Sequence, residues 1–298
     1  MDNVISLNKV TKTYGSNRGV DDVTLDIEKG KIVGFLGPNG AGKTTTISML
    51  VDLIRPTKGQ IKIFGLDTTK DGVKIRQRIG FLSGDFALDE KLTGWQQLNY
   101  LGHLRGNFNP KRVNELAKHL SCDLSRKIKT LSRGNRQKVG LISALMHDPE
   151  LLIFDEPTTG LDPLIQAEFN KIIAEHKAAG KTALISSHLL SEVQEVCDEL
   201  AFIREGRLLI VKQTKDLANG LPKLIKVVTS DQSLKTDLKA LSGIDITSTD
   251  QSELNGTYHG DMNDLIKLLA KHKVNDVSIQ ETDLETIFMK FYQGENRV

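Results

Sequence analysis

A glycine-rich segment that ends in a lysine and two threonines carries the residue types that point most directly to chemistry. Its nine residues are Gly37, Pro38, Asn39, Gly40, Ala41, Gly42, Lys43, Thr44 and Thr45. In this spacing glycines let the backbone wrap around phosphates, and the lysine reaches the β- and γ-phosphates. The hydroxyl of Thr44 is the expected Mg²⁺ ligand. The sequence therefore predicts a nucleoside triphosphate site in which Lys43 acts in catalysis as well as in binding.

Two elements must position this loop. The apolar run 32–36 predicts a buried strand before it, and residues 46–50 continue as a helix. The backbone N–H groups and the positive end of such a helix face an anion. Because strand, loop and helix occur in the required order, a phosphate-binding loop is favoured over a chance glycine-rich turn.

Two adjacent carboxylates follow a second apolar run. Residues 151–154 predict a buried parallel strand that terminates in Asp155 and Glu156. Ligands of open α/β sheets lie beyond the carboxyl ends of the strands, so both carboxylates are expected at the nucleotide. Adjacent strand residues point in opposite directions, which separates their roles. Asp155 is expected to hold Mg²⁺ through water, and Glu156 to polarise the attacking water.

Three further residues have a functional and a structural interpretation. His188 follows the apolar strand 181–187, where it can contact a γ-phosphate or position water, although a lone histidine is usually structural. Ser132, with Gly134, forms an anion site at a helix N-terminus, although most such serines only cap the helix. Tyr14 precedes a glycine turn and can stack on a purine, or it is a half-buried tyrosine at a strand end.

Composition narrows the class of protein. The 298 residues are 39% hydrophobic and 26% charged, as in a soluble globular protein with two domains. With 40 basic and 38 acidic residues, the net charge of +2 gives no reason to expect nucleic acid as a partner. No apolar run approaches the ~18 residues of a transmembrane helix, and no signal peptide is visible. Cys122 and Cys197 are interpreted as ordinary thiols of a cytoplasmic protein.

Hydrophobic patterns predict the remaining architecture. Residues 4–10 alternate as an edge strand, 92–120 are helical, and 200–211 form a hairpin around Glu205 and Gly206. From about Lys223 the order β-α-β-β-α-β suggests a small ferredoxin-like unit. Its predicted strands are Leu224–Thr229, Ile244–Thr247, Leu254–His259 and Val274–Gln280, and its predicted helices are 233–241, 261–272 and 284–292. No motif in this unit carries chemistry, and dimer support, regulation or simple stabilisation are equally compatible with it.

In their order along the chain, these motifs resemble those of the ATP-binding subunits of ABC transporters. The match runs from about Val4 to Leu221. It includes the glycine-rich loop (Walker A), the signature segment that begins at Leu131 and Ser132, and the apolar strand through Glu156 (Walker B). It continues through the D-loop, 160–162, to the switch histidine, His188.

The resemblance implies a fold class and a domain organisation. The fold is an α/β P-loop NTPase domain at 1–221, with a helical subdomain at about 85–147. A small α+β domain at 222–298 completes the chain. The implied activity is hydrolysis of ATP with Mg²⁺.

The resemblance also implies two protein partners. One is a second ATP-binding subunit, either the same chain or a close paralogue, packed head to tail. Ser132 and Gly134 would then contact the γ-phosphate held by Lys43 of the other subunit, and Asp162 of the D-loop joins the nucleotide-binding set. The other is a separate integral membrane permease, which places the chain at the cytoplasmic face of the membrane.

The same resemblance gives roles to three residues whose function the pattern alone left open. Glu156 is the catalytic base or the residue that polarises water, and His188 senses the γ-phosphate. Tyr14 stacks on adenine. ATP would hold two surfaces together, and hydrolysis would release them.

Two departures from the family pattern are visible. The signature has Arg133 and Asn135 where the family has L-S-G-G-Q, but Ser132 and Gly134 are kept. Gly84 stands where the family usually has a glutamine, and it has no side chain to bind Mg²⁺ or water. Asp85, the next residue, is the candidate substitute metal ligand.

The variant signature, the S-G-D segment at 83–85 and the extra C-terminal unit resemble a subclass of the family. It comprises ATPases of bacterial exporters for drugs and for antimicrobial or cytolytic peptides, the staphylococcal exporters of phenol-soluble modulins among them. The alternative is a soluble ABC-type ATPase that acts on nucleic acid or ribosomes, but such proteins usually have coiled-coil insertions or two cassettes. A GTPase would need N-K-x-D, and residues 8–11 and 170–173 both fail that pattern.

Overall fold

The computed structural model describes residues 2–15, 17–106, 108–219, 223–250 and 252–281. The chain separates into two units, Met1–Thr214 and Lys215–Val298. The predicted helix at 284–292 lies outside the described residues. Within the described ranges, no helix is long and apolar enough to cross a membrane.

The first unit alternates strands and helices. Its strands are β1 Asn3–Tyr14, β2 Asn17–Glu28, β3 Ile32–Leu36, β4 Lys58–Ile63, β5 Leu66–Asp67, β6 Ile79–Leu82, β7 Leu151–Asp155, β8 Thr182–Ser187, β9 Glu199–Arg204 and β10 Arg207–Gln213. Its helices are α1 Lys43–Leu50, α2 Gly72–Arg78, α3 Gly94–Leu104, α4 Pro110–His119, α5 Arg133–Leu145 and α6 Pro163–Ala178. A further helix, α7 Thr214–Asn219, begins at the boundary between the units.

The sheet that carries the glycine-rich loop has the strand order β10-β9-β3-β8-β7-β6. All of its neighbouring pairs are parallel except β9 and β10, which form the predicted hairpin. Every residue of β3, β7 and β8 is buried, as expected for strands covered on both faces. The carboxyl ends of these three strands therefore meet at one edge of the sheet.

A second, antiparallel sheet has the order β2-β1-β4-β5. The edge position predicted for residues 4–10 is wrong, because β1 pairs with β2 on one side and with β4 on the other. Alternation along one strand shows which face is buried but not how many partners the strand has. Apolar residues of this sheet join those of β3 and α1 in one core cluster.

The helical segment between β6 and β7 contains α3, α4 and α5. Thr93 caps α3 with a reciprocal capping box that includes Gln96. Ser132 caps α5, as the sequence predicts, by accepting a hydrogen bond from the backbone N–H of Asn135 at 3.3 Å. The start of α5 is thereby fixed at the signature segment.

The second unit has the predicted β-α-β-β-α-β order. Its elements are β11 Lys223–Val228, α8 Gln232–Ala240, β12 Ile244–Thr249, β13 Glu253–Tyr258, α9 Met262–Leu269 and β14 Asp276–Glu281. The sheet order is β12-β13-β11-β14, and every pair is antiparallel. Its buried core includes Val227, Leu238, Leu254 and Leu265. This topology confirms the ferredoxin-like prediction for the described residues.

One buried histidine, His176, and one half-buried histidine, His147, should make the stability of the first unit depend on pH. Burial disfavours the charged imidazole and lowers the pKa of His147 and of His176 below the ordinary value of 6.5. Below pH 6.5 these two histidines are therefore protonated to a greater extent in the unfolded chain than in the folded chain. The free energy of unfolding, measured with urea, should therefore decrease as the pH is lowered from about 7 to about 5.

A variant of His176 isolates its share of this effect. The Nε2 of His176 lies 3.1 Å from the carbonyl oxygen of Thr182, and His176→Gln keeps a donor that does not titrate. We expect a shallower pH dependence in this variant. An unchanged dependence would contradict the assignment to His176.

Candidate nucleotide-binding site

The glycine-rich loop links the carboxyl end of β3 to the start of α1. Gly42 has a φ of 104°, and a Cβ built on it would lie 2.8 Å from the carbonyl oxygen of Gly19. Only glycine fits this conformation and this close approach. Gly42 is also the N-cap of α1, which has no side-chain cap and no acidic residue in its first turn. The backbone donors at this helix end are thus available to an anion.

A cleft of about 190 Å³ lies over this helix end. It is lined by Gly19, Pro38, Asn39, Gly40, Gly42, Lys43, Thr44, Thr45 and Glu156. Seven of the nine residues of the predicted glycine-rich segment line this cleft. Gly37 accepts a hydrogen bond from Lys43, and Ala41 lies buried beneath the loop. The structure thus gathers the predicted phosphate-binding segment around one cavity.

Lys43 is the buried cation of the cleft, with 5% of its surface exposed. Its ammonium donates to the carbonyl oxygens of Gly37 at 2.5 Å and of Pro38 at 3.2 Å. It also lies 3.3 Å from Oε1 of Glu156. A buried charge needs such partners, so phosphate oxygens entering the cleft would compete with Glu156 for this ammonium.

Thr44 and Asp155 form the oxygen pair that suits Mg²⁺. The Thr44 hydroxyl donates to Oδ2 of Asp155 at 2.7 Å, and Asp155 is 2% exposed. Mg²⁺ typically takes one or two protein oxygens and completes its shell with phosphates and water. The described residues hold no group of three or more His, Cys, Asp or Glu suited to a metal. This donor set therefore fits a Mg²⁺ ion that arrives with a nucleotide.

Glu156 and His188 contact each other at the same edge of the sheet. The Nδ1 of His188 lies 2.7 Å from Oε2 of Glu156. Glu156 lies just past the end of β7 with a φ of 52°. The alternation of strand faces predicted for this pair is therefore wrong, because Glu156 lies outside the strand. Its left-handed backbone sets the direction of its side chain relative to that of Asp155. Oε1 of Glu156 is buried, and its partner among the described residues is the Lys43 ammonium at 3.3 Å.

Tyr14 lies next to the cleft at the end of β1. A Cβ built on Gly19 would lie 2.9 Å from Cε2 of Tyr14, so the ring packs over a residue that lines the cleft. Half of the Tyr14 surface is exposed, and the Lys12 ammonium lies 5.3 Å from the ring centroid. An exposed aromatic face at this place suits a nucleobase.

Ser132, Gly134 and Asp162 form a second surface, which we call the signature surface. A Cβ on Gly134 would lie only 2.4 Å from the carbonyl oxygen of Gly160, so α5 packs tightly against the D-loop there. Asp162 caps α6 by accepting from the N–H of Ile165 at 3.1 Å. Among the described residues, no hydrogen bond or ion pair joins the signature surface to residues 37–45.

Asp85, the candidate metal ligand, is exposed, and its N–H donates to the Ser83 hydroxyl at 3.4 Å. In the described part of the chain, no hydrogen bond joins its carboxylate to Thr44 or Asp155. Gly84 lies closer to the metal pair, because a Cβ built on it would be 3.5 Å from Oδ2 of Asp155. Within the segment 83–85, Gly84 is therefore the residue that lies beside Asp155.

Two buried polar residues of the site were not predicted from the sequence. The side-chain amide of Gln137 on α5 donates to the carbonyl oxygen of Pro157 at 2.9 Å. This hydrogen bond connects α5 to the segment that follows Glu156. Ser186 on β8 donates to Oδ1 of Asp155 at 2.5 Å. A serine at the carboxyl end of an apolar strand is the sequence signal that would have found Ser186.

Comparison with known proteins agrees with this geometry. The family model for ABC transporters matches residues 20–159. The chain is 34% identical to the bacitracin transport ATP-binding protein BcrA of Bacillus licheniformis, over 99% of each chain. It is 30% identical to the linearmycin resistance ATP-binding protein LnrL of Bacillus subtilis (strain 168), over 96% of this chain and 97% of that one. The dimeric post-hydrolysis structure of the ATP-binding cassette MJ0796, bound to ADP and Pi, is similar with a TM-score of 0.64 and 27% identity, over 70% of this chain and 98% of that one.

Gly42→Ala should weaken ATP binding by about tenfold or more, because it adds left-handed strain and a clash with the Gly19 carbonyl. The matched control is Gly65→Ala. Gly65 also has a positive φ, of 76°, but a Cβ there meets no atom within 4 Å. The control should lose about 1 kcal/mol of stability and keep its affinity in equilibrium ATP-binding titrations. Equal affinities for the two variants would contradict the assigned role of the loop.

Proposed function

Because the chain belongs to the ATP-binding subunits of ABC transporters, we propose that it pairs with a second such subunit on ATP and drives a separate membrane protein. The chain is an ATPase of this family. The observation that carries the proposal is the division of its candidate nucleotide residues between two surfaces. The cleft holds Lys43, Thr44 and Glu156, and the signature surface presents Ser132 and Gly134 elsewhere.

Binding begins at the uncapped start of α1. The phosphates accept from its backbone donors and from Lys43, whose present partners are carbonyl oxygens and Glu156. Tyr14 supplies a face for the base at the rim of the cleft. Thr44 and Asp155 would hold Mg²⁺, which when bound neutralises charge on the phosphate oxygens.

Hydrolysis needs a group that orients and deprotonates water. Glu156 is suited to this role, because His188 holds Oε2 while Oε1 is paired with Lys43, which a phosphate can draw away. His188 is 40% exposed at its side chain, so it can contact both Glu156 and an incoming terminal phosphate. Lys43 loses its carboxylate partner when a phosphate replaces it, which frees Glu156 for water.

The signature surface supplies the second half of the site from the partner. Ser132 and Gly134 lie at the N-terminus of α5, where backbone donors and the helix dipole favour an anion. Asp162 belongs to the same surface, because Gly160, two residues before it, packs against Gly134. The similar MJ0796 cassette is dimeric with ADP and Pi bound, which supports a paired arrangement here.

Relatives suggest the class of cargo. BcrA and LnrL, which match this chain over nearly its full length, are named for bacitracin transport and linearmycin resistance. We infer export of drugs or of antimicrobial or cytolytic peptides by the membrane partner, with this chain at the cytoplasmic face of the membrane. A soluble ATPase that acts on nucleic acid or ribosomes is the disfavoured alternative.

Asp85 keeps a secondary place in this proposal. It is exposed, and Thr44 and Asp155 already supply the two protein oxygens that Mg²⁺ commonly takes. Gly84, and not Asp85, is the residue that lies next to Oδ2 of Asp155. We therefore assign it to the outer rim of the metal site.

Glu156→Gln should lower ATP turnover by about 100-fold or more, because the amide cannot accept a proton. ATP binding should persist, and an ATP-bound dimer should accumulate in light scattering. The control is Glu150→Gln, which removes a carboxylate paired with Arg78 at the opposite end of β7. Turnover near the wild-type rate in Glu156→Gln would remove this residue from its proposed role.

Mixing two inactive variants tests whether the site is shared between subunits. Lys43→Ala lacks the cleft cation, and Ser132→Ala lacks the signature hydroxyl. A mixed dimer has one site with both intact residues, so the mixture should recover ATPase activity that neither variant shows alone. Absence of recovery, with mixed dimers demonstrated by differently tagged chains, would argue that each chain carries a complete site.

A further inference from the structure

We propose that Ser186 is a positioning residue that orients both carboxylate residues of the cleft. The inference rests on the roles proposed for Asp155 and Glu156. Ser186 lies near the carboxyl end of β8, is fully buried, and is the register partner of Asp155 in the parallel pairing of β7 with β8.

The hydroxyl of Ser186 joins the two carboxylate residues. A serine hydroxyl has one hydrogen to donate and lone pairs that accept. The hydrogen goes to Oδ1 of Asp155 at 2.5 Å, and the oxygen accepts from the backbone N–H of Glu156 at 3.1 Å. The same N–H lies 3.2 Å from the carbonyl oxygen of Ser186. One side chain therefore connects the metal-binding carboxylate to the backbone of the proposed base.

The first consequence concerns the orientation of Asp155. Ser186 binds Oδ1 and Thr44 binds Oδ2, so the plane of the carboxylate is fixed from both sides. The terminal torsion of an aspartate has broad wells, and removal of one hydroxyl leaves the group free to turn. Partners that orient a ligating carboxylate commonly change metal affinity or activity by about 10- to 100-fold when removed.

The second consequence concerns Glu156. Its φ of 52° lies in the left-handed region, which residues other than glycine rarely adopt. The hydrogen bonds from its N–H to Ser186 hold it there. In this conformation its carboxylate reaches Lys43 at 3.3 Å and His188 at 2.7 Å.

Packing alone does not account for a serine at this position. The preceding residues of β8, Ala183, Leu184 and Ile185, are apolar and buried. A β-branched apolar residue would suit a buried strand better, and a buried hydroxyl is unfavourable unless it is hydrogen-bonded. The partners of this hydroxyl are the two residues on which the proposed chemistry depends.

The test compares Ser186→Ala with Thr182→Val in the full chain. Thr182 offers a matched control, because it lies on the same strand and its buried hydroxyl accepts from the N–H of Gly30 at 2.9 Å, at the opposite end from the cleft. Binding of fluorescent ADP is titrated with and without Mg²⁺, and steady-state turnover is measured beside it. Thermal unfolding reports any general loss of stability.

Ser186→Ala should bind metal-free ADP as the wild type does but require about tenfold more Mg²⁺ for the half-maximal effect. Its kcat should fall by about tenfold while KM changes little, as expected for an interaction that matters in the transition state. Thr182→Val should lower thermal stability without changing the Mg²⁺ requirement. Ser186→Cys, with a weaker donor of similar size, should be intermediate and serves if the alanine variant does not fold.

An unchanged Mg²⁺ requirement in the Ser186 variants, or the same change in Thr182→Val, would overturn the positioning role. Failure of the proposed function gives a different result. In that case the wild-type chain would bind ADP without any response to Mg²⁺, or Glu156→Gln would retain turnover.

Discussion

The hydrogen bond from Thr44 to Asp155 is the contact on which the nucleotide site depends. It joins the first turn of α1 to the end of β7 at 2.7 Å, so the phosphate-binding element and the carboxylate strand share one edge. The parallel order of β3, β8 and β7 makes this possible, because parallel strands end on the same side. Ser186 lies on β8, the strand between β3 and β7, and donates to the other carboxylate oxygen of Asp155.

The ionisable side chains of the cleft contact one another in series. Lys43 faces Glu156 at 3.3 Å, and Glu156 faces His188 at 2.7 Å. In the proposed function, an entering phosphate gives Lys43 a new partner and releases Glu156 toward water. Binding and catalysis would then be connected through one ion pair, and a second subunit would contribute the signature surface.

Local structure was predicted well from the sequence, and long-range geometry was not. The glycine-rich loop, the buried strand before Asp155 and the Ser132 cap follow from residue types at fixed spacing. The ferredoxin-like order of the second unit follows from alternating patterns. The pairing of β1 on both sides depends on residues far along the chain. The role of Ser186 likewise depends on partners that are distant in sequence, at the end of β7. For Glu156, no sequence pattern predicts the left-handed backbone.

The most direct measurement of the central claim is the isolation of this chain from membranes of its native cell. A tagged Glu156→Gln chain, purified with ATP and mild detergent, should bring with it one integral membrane protein in a fixed ratio. Identification by mass spectrometry would name the transporter partner. Recovery of ribosomes or nucleic acid, with no integral membrane protein, would contradict the account.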